Sequence, residues 1–160
     1  MTRPIATVCA LLALASCSQA TEAQVSRASA NPSAEATRMV SEVDQSCLAE
    51  AIYFEAGGTA EARAAVAHVI LNRARDPRFP KSVCGVVRDG CQFSYRCAGK
   101  SLALNDRKKR EGAHRTAAAV LNGTPDTTNG ALFFHSARAK AGWFASRKRV
   151  GEIGGNIFYR

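Results

Sequence analysis

Apolar residues recur every three or four positions in three stretches of the chain, and each stretch has helix-stopping chemistry beside it. Over residues 43 to 55 the stripe is Val43, Cys47, Leu48, Ala51 and Ile52, which predicts an amphipathic helix. Gly57 and Gly58 follow, where a left-handed cap would end it. Thr59 reads as the N-cap of a second helix running to about Arg75, with Ala62, Ala65, Val66, Val69 and Ile70 as its buried stripe. The run "DPRFP" at 76–80 breaks it. A short helix is expected from Pro80 to Val87, with proline in its first turn, and a third long helix from Arg107 to Leu121, stopped by Asn122-Gly123.

Elsewhere the period shortens to two. In "CQFSYRC", residues 91–97, Phe93 and Tyr95 alternate with Gln92, Ser94 and Arg96, the pattern of a half-buried strand. "GALFFHS" at 130–136 and "GNIFYR" at 155–160 read as two further short strands. The expected fold class is α+β: a small, helix-rich domain with a minor antiparallel sheet.

One position breaks the first stripe. The next place on it, three past Ile52 and four past Ala51, is Glu55. A carboxylate on a buried face is costly unless it is neutral, paired or used. Desolvation there raises its pKa, and the negative end of the helix dipole raises it further. An acid held neutral near a pH of about 6 to 7 is what cleavage of a glycosidic bond needs as proton donor. Pairing with Arg73 or Arg75, or a tilt into water, is the plain alternative, and the spacing leaves both open.

The N-terminal part of the 160-residue chain has a different character. Residues 1–16, "MTRPIATVCALLALAS", place Arg3 before an apolar run too short to span a bilayer, the layout of an export signal. "LASC" at 14–17 resembles a bacterial lipobox, which would make Cys17 the lipidated first residue; cleavage after Ala20 is the other option, and the lipobox is preferred. Residues 17–40, rich in Ser, Ala, Thr and Glu, read as a flexible tether, leaving 41–160 as the folded domain.

Export agrees with cysteine usage. Of six cysteines, Cys9 lies in the signal and Cys17 in the lipobox. Cys47, Cys84, Cys91 and Cys97 remain, implying two disulfides with three possible pairings; Cys91–Cys97 across a hairpin and Cys47–Cys84 between two helices are favoured. There is no C-x-x-C pair, and His68, His114 and His135 lack ligand spacing, so neither metal nor cofactor is expected. The formal net charge is +9. Its densest runs, "DRKKRE" (106–111) and "SRKRV" (146–150), read as solvated faces. An exported basic domain suits an anionic partner such as lipid headgroups, wall polymer or nucleic acid.

The blocks "CLAEAIYFEAGGTAEARAAVAHVILNRARDPRFPKSVCGVV", "CQFSYRC" and "GALFFHS…GWFASRKRVGEIGGNIFYR", in that order, resemble the SleB/CwlJ-type cell-wall hydrolases, the spore-cortex-lytic enzymes and their relatives in non-sporulating bacteria. The likeness covers residues 45–160. It implies a lysozyme-like or transglycosylase-like catalytic domain acting on peptidoglycan. It also implies a catalytic glutamate that opens an E-A-x-G motif, here Glu55-Ala56-Gly57-Gly58, so stripe and resemblance meet on one residue. The chain departs from the common family pattern at Gly57, Thr59 and Ala98.

Ordinary glycosidases use two carboxylates, and no second acid has pattern support here. A lone acid suffices if the 6-hydroxyl of N-acetylmuramic acid attacks its own anomeric carbon, so the expected activity is that of a lytic transglycosylase. Gln92, Phe93, Ser94, Tyr95, His135 and Trp143 are candidates for the sugar cleft. The competing readings are a zinc-dependent wall amidase and a non-catalytic wall-binding lipoprotein. Expected partners are peptidoglycan and, through the anchor, a membrane; a nucleic-acid partner would rest on charge alone and is not expected.

Overall fold

Helix α1 spans Pro32–Glu55 and starts well before the predicted stripe. This computed structural model describes residues 32–160 apart from 98, 100 and 141, with side chains from residue 42 onward except that of Trp143. The signal at 1–16 and Cys17 therefore lie outside the described residues. Residues 32–40, assigned above to the tether, are helical instead. They put proline in a first turn, followed by Ala, Glu, Arg and Met, which are good helix formers. Leu48, Ala51 and Ile52 are fully buried, whereas Val43 is 54% exposed, so the packed stripe begins at Cys47.

The helix stops at Glu55 without the expected left-handed cap, because neither Gly57 nor Gly58 has a positive φ. Helix α2, Ala60–Arg75, follows the Thr59 cap, whose hydroxyl accepts from the Ala62 amide at 3.1 Å. All five of its predicted stripe residues are fully buried. The stripe serves two layers: Val66 and Ile70 join the core beneath α1, while Ala65 and Val69 pack with Ala131 and Phe158 of the sheet side. Helix α3, Val83–Val87, is capped by Ser82 rather than begun by Pro80.

"CQFSYRC" is not a strand. The Cys91–Cys97 disulfide curls it, and its second half forms the short helix α4, Ser94–Cys97. Phe93 and Tyr95 are both buried from that turn, at 2% and 8% exposure, so alternation in sequence arose without extended backbone. The second disulfide, Cys47–Cys84, ties α1 to α3, so both favoured pairings form. Helix α5 runs Arg107–Leu121 as predicted, with Asp106 as its cap, and lays Ala113, Ala117 and Val120 into the core.

Strands β1 (Phe133–Ser136), β2 (Arg149–Ile153) and β3 (Asn156–Tyr159) form an antiparallel sheet in the order β1-β3-β2. The run 146–150 had been read as a solvated face; its last two residues open β2, an edge strand where exposed Arg149 and Glu152 are at home. Gly154 and Gly155, with φ of 57° and 79°, make the two-residue turn into β3 that only a left-handed pair allows. A Cβ on Gly154 would lie 2.4 Å from that of Ala62, so this bare hairpin tip closes directly onto the first turn of α2. No described helix is long and apolar enough to cross a membrane.

Candidate functional site

The end of α1, the loop closed by Cys91–Cys97, and strands β1 and β3 enclose a cleft of about 240 Å³. Its lining includes Glu55, Arg73, Gln92, Phe93, His135 and Asn156. Glu55 is the last residue of α1, where its carboxyl faces the cleft half-buried. No hydrogen bond or ion pair joins that carboxyl to another described residue. Burial pushes it above the usual carboxylate range. Neither arginine offered as a partner takes that role.

Arg73 has another use. It is 5% exposed and its guanidinium lies 5.3 to 5.7 Å from the rings of Phe79, Phe93 and Phe133. Its Nε donates to the Leu132 carbonyl oxygen at 2.7 Å. Burial lowers its pKa to about 10, with Asp89 opposing and Arg147 adding to that shift, so it stays charged at neutral pH. It thus fastens the entry to β1 beneath the cleft and holds a fixed positive charge in its lining.

His135 is held equally firmly. Its Nδ1 donates to the Ser136 carbonyl oxygen at 2.8 Å, which leaves Nε2 to accept from the Tyr159 hydroxyl at 2.9 Å. The ring stacks on Phe144 at 4.4 Å between centroids. With both nitrogens engaged, this histidine is a fixed part of the cleft wall.

Of the sequence candidates, Glu55, Gln92, Phe93 and His135 meet in this cleft. Phe93 contributes an edge while being essentially core. Tyr95 turns away: its hydroxyl donates to Glu50 at 3.0 Å and its ring stacks on Phe54 at 4.5 Å. Ser94 is exposed at the start of α4 and does not line the cleft. The Trp143 side chain lies outside the described residues. Arg73, Phe133, Phe134, Ser136 and Asn156 had been missed. Only the place of Arg73 on the buried stripe of α2, three past Ile70 and four past Val69, could have signalled it.

The arrangement offers one acid among aromatic and polar walls. Among the described residues lining the cleft, Glu55 is the sole carboxylate. No group of three or more His, Cys, Asp or Glu is placed to hold a metal ion among the described residues.

The site thus sits in a helix-rich α+β domain that presents an acid at a helix end to a cleft walled by a small sheet. The domain is similar to the catalytic domain of the germination-specific lytic transglycosylase SleB from Bacillus anthracis, with a TM-score of 0.62 and 30% identity over 73% of this chain and 93% of that one. The catalytic domain of the Bacillus cereus SleB protein is similar to the same degree, with a TM-score of 0.63 and 28% identity over 74% and 91% of the two chains. Residues 57–159 match the Cell Wall Hydrolase family, and the chain belongs to that family. The matched span begins two residues after Glu55. The spore cortex-lytic enzyme of Halalkalibacterium halodurans is 34% identical over 119 residues, 74% of this chain and 35% of that protein. The chain thus spans about a third of the length of that relative.

Proposed function

We propose that this protein cleaves peptidoglycan glycan strands as a lytic transglycosylase, with Glu55 as general acid and then general base. The supporting observation is the half-buried, unpartnered carboxyl of Glu55 in a cleft that holds no second carboxylate among its described lining residues. The protonated acid gives its proton to the oxygen bridging N-acetylmuramic acid to the next sugar. The C1–O bond breaks as the 6-hydroxyl of the same muramic residue attacks C1. Glu55, now a carboxylate, takes the hydroxyl proton and is restored. No water is consumed, and the product is a 1,6-anhydro sugar. Gln92 and Asn156 offer amides to sugar hydroxyls, Phe133 and His135 present ring surface, and Arg73 fixes the wall that carries them.

The names of the relatives support the same reading, since one solved neighbour is a lytic transglycosylase catalytic domain. Residues 1–16 serve in this reading as an export signal and Cys17 as a lipid anchor, with the segment after it giving reach from membrane to wall. The protein then acts on the outer side of the cytoplasmic membrane.

The test is digestion of purified sacculi with product masses read. Anhydro-muropeptides from the wild type and none from Glu55→Gln are expected. Reducing ends without anhydro products would replace the mechanism by hydrolysis. Binding without release of fragments would leave a wall-binding protein.

A further inference from the structure

Behind the same helix end lies a second cleft, larger and richer in cations. Its volume is about 370 Å³, and its lining includes Ile52, Gly58, Arg63, Lys108, Lys109 and Arg115. Asp106 also lines it, but one of its carboxylate oxygens already accepts the Lys109 amide as the cap of α5.

Arg63 is built in rather than merely present. Its guanidinium donates to the Gly58 carbonyl oxygen at 2.8 Å and, through Nε, to the Thr116 hydroxyl at 3.4 Å. It lies along Gly112, where a Cβ would approach its Cζ to 3.4 Å, so the missing side chain makes its berth. Lys109 is placed over the Tyr53 ring at 4.6 Å. Lys108 and Arg115 stand exposed at the rim, Arg115 only 3.9 Å from Glu111 in a loose surface pair. A pre-positioned guanidinium backed by exposed rim cations suits a carboxylate-bearing ligand.

We propose that this cleft receives the free carboxylates of peptidoglycan stem peptides, an inference that rests on the glycan-cleaving reading above. Consecutive residues connect the two clefts: Glu55 lines one, and Ala56, Gly57 and Gly58 line the other. Beyond its chain neighbours, nothing lies within 4 Å of where a Gly58 Cβ would sit, so the sill is open there. At Gly57 a Cβ would meet the Gly154 carbonyl oxygen at 3.5 Å, and the hairpin tip flanks the passage. A stem of three to five residues reaches roughly 10 to 18 Å. A glycan strand seated at Glu55 can therefore lay its peptide over the glycine sill into the basic cleft. The cleft would make the enzyme select stem-bearing strands over bare ones.

The experiment compares the full-length chain on intact strands and on strands stripped of stems by an amidase. Wild type should show a KM about tenfold lower on stem-bearing strands, with the difference shrinking in high salt. The double variant Lys108→Glu/Arg115→Glu should lose that difference, as should the neutral pair Lys108→Gln/Arg115→Gln. Arg88→Glu/Lys148→Glu, an equal change of charge elsewhere, should keep it. Equal KM on both substrates, or a preference that survives the double variants, overturns the inference while leaving glycan cleavage intact. Inhibition by a peptide-free phosphate polymer but not by free stem peptides overturns it too. Failure to cleave either substrate overturns both readings.

Discussion

Two carboxylates in this domain, Glu55 at the end of α1 and Asp126 in the loop after α5, receive opposite treatment. Glu55 is half-buried with no donor among the described residues, and its pKa is raised by desolvation. Burial pushes on Asp126 in the same direction, but four hydrogen bonds, from the Thr128 amide and hydroxyl, the Asn72 side chain and the Gly130 amide, hold it down to about 2. Asp126 is a knot that ties a loop to α2; Glu55 is left with its proton affinity unspent. Burial alone does not separate a structural acid from a reactive one. The number of donors aimed at it does.

The strongest way to break this contrast is to remove the proton while keeping the shape. Glu55→Gln should lower the rate of strand cleavage by about a thousandfold, the range for a general acid–base group, with unchanged circular dichroism. Residual lysis within a factor of ten of wild type would mean that the proton comes from elsewhere.

The disulfides divide along the same line between holding and acting. On loop entropy alone, Cys47–Cys84 closes the longer loop, and replacing both cysteines with alanine should cost about 4 kcal/mol; for Cys91–Cys97 the figure is about 2 kcal/mol. Activity should follow the opposite order. Gln92 and Phe93 sit inside the small loop and line the cleft, so its opening should depress cleavage more than its stability loss explains. Equal activity losses at matched folded fraction would show that the 91–97 loop does not shape the site.

Asp126→Ala should act on stability alone. Four donors would lose their acceptor, at a cost of about 2 kcal/mol, read as a lower urea midpoint with cleavage by the folded fraction preserved.

What the sequence disclosed follows from how many constraints each segment carried. The stripe of α2 was legible because cap and period agreed from Thr59 onward, and the end of α5 because Asn122-Gly123 breaks it; the Asp106 cap of α5 was hidden in a charged run. In "CQFSYRC" the signals conflicted. Alternation said strand, while a disulfide across six positions demanded a curl, and the covalent bond won. Strand β2 stayed hidden because an edge strand with Arg149 and Glu152 facing water looks like any charged run. Glu55 was legible by its place on the stripe. Arg73 was not, because its role comes from rings contributed by Phe79, Phe93 and Phe133, which only the fold brings to it. Asp126 was likewise not singled out, because its donors come from Asn72 on α2 as well as from its own loop.

The smallest expected effect tests the contrast most directly, because its sign differs at the two sites. The folded-state pKa of Glu55 lies above its ordinary 4.5, so between those values the folded chain holds more protons than the unfolded one. Stability due to Glu55 is therefore fullest below 4.5 and declines as pH rises through the raised value. Glu55→Gln does not titrate, so its stability relative to wild type should climb with pH across that window and then level off. Asp126 runs the other way: its contribution is present above the ordinary 3.8 and is lost as pH falls towards about 2. Stability relative to wild type should therefore rise for Asp126→Asn as pH falls, and for Glu55→Gln as pH rises. Urea midpoints between pH 2 and 7 read both slopes; a flat or inverted curve for Glu55→Gln would mean that donors in solution already satisfy that carboxyl and that burial has not primed it.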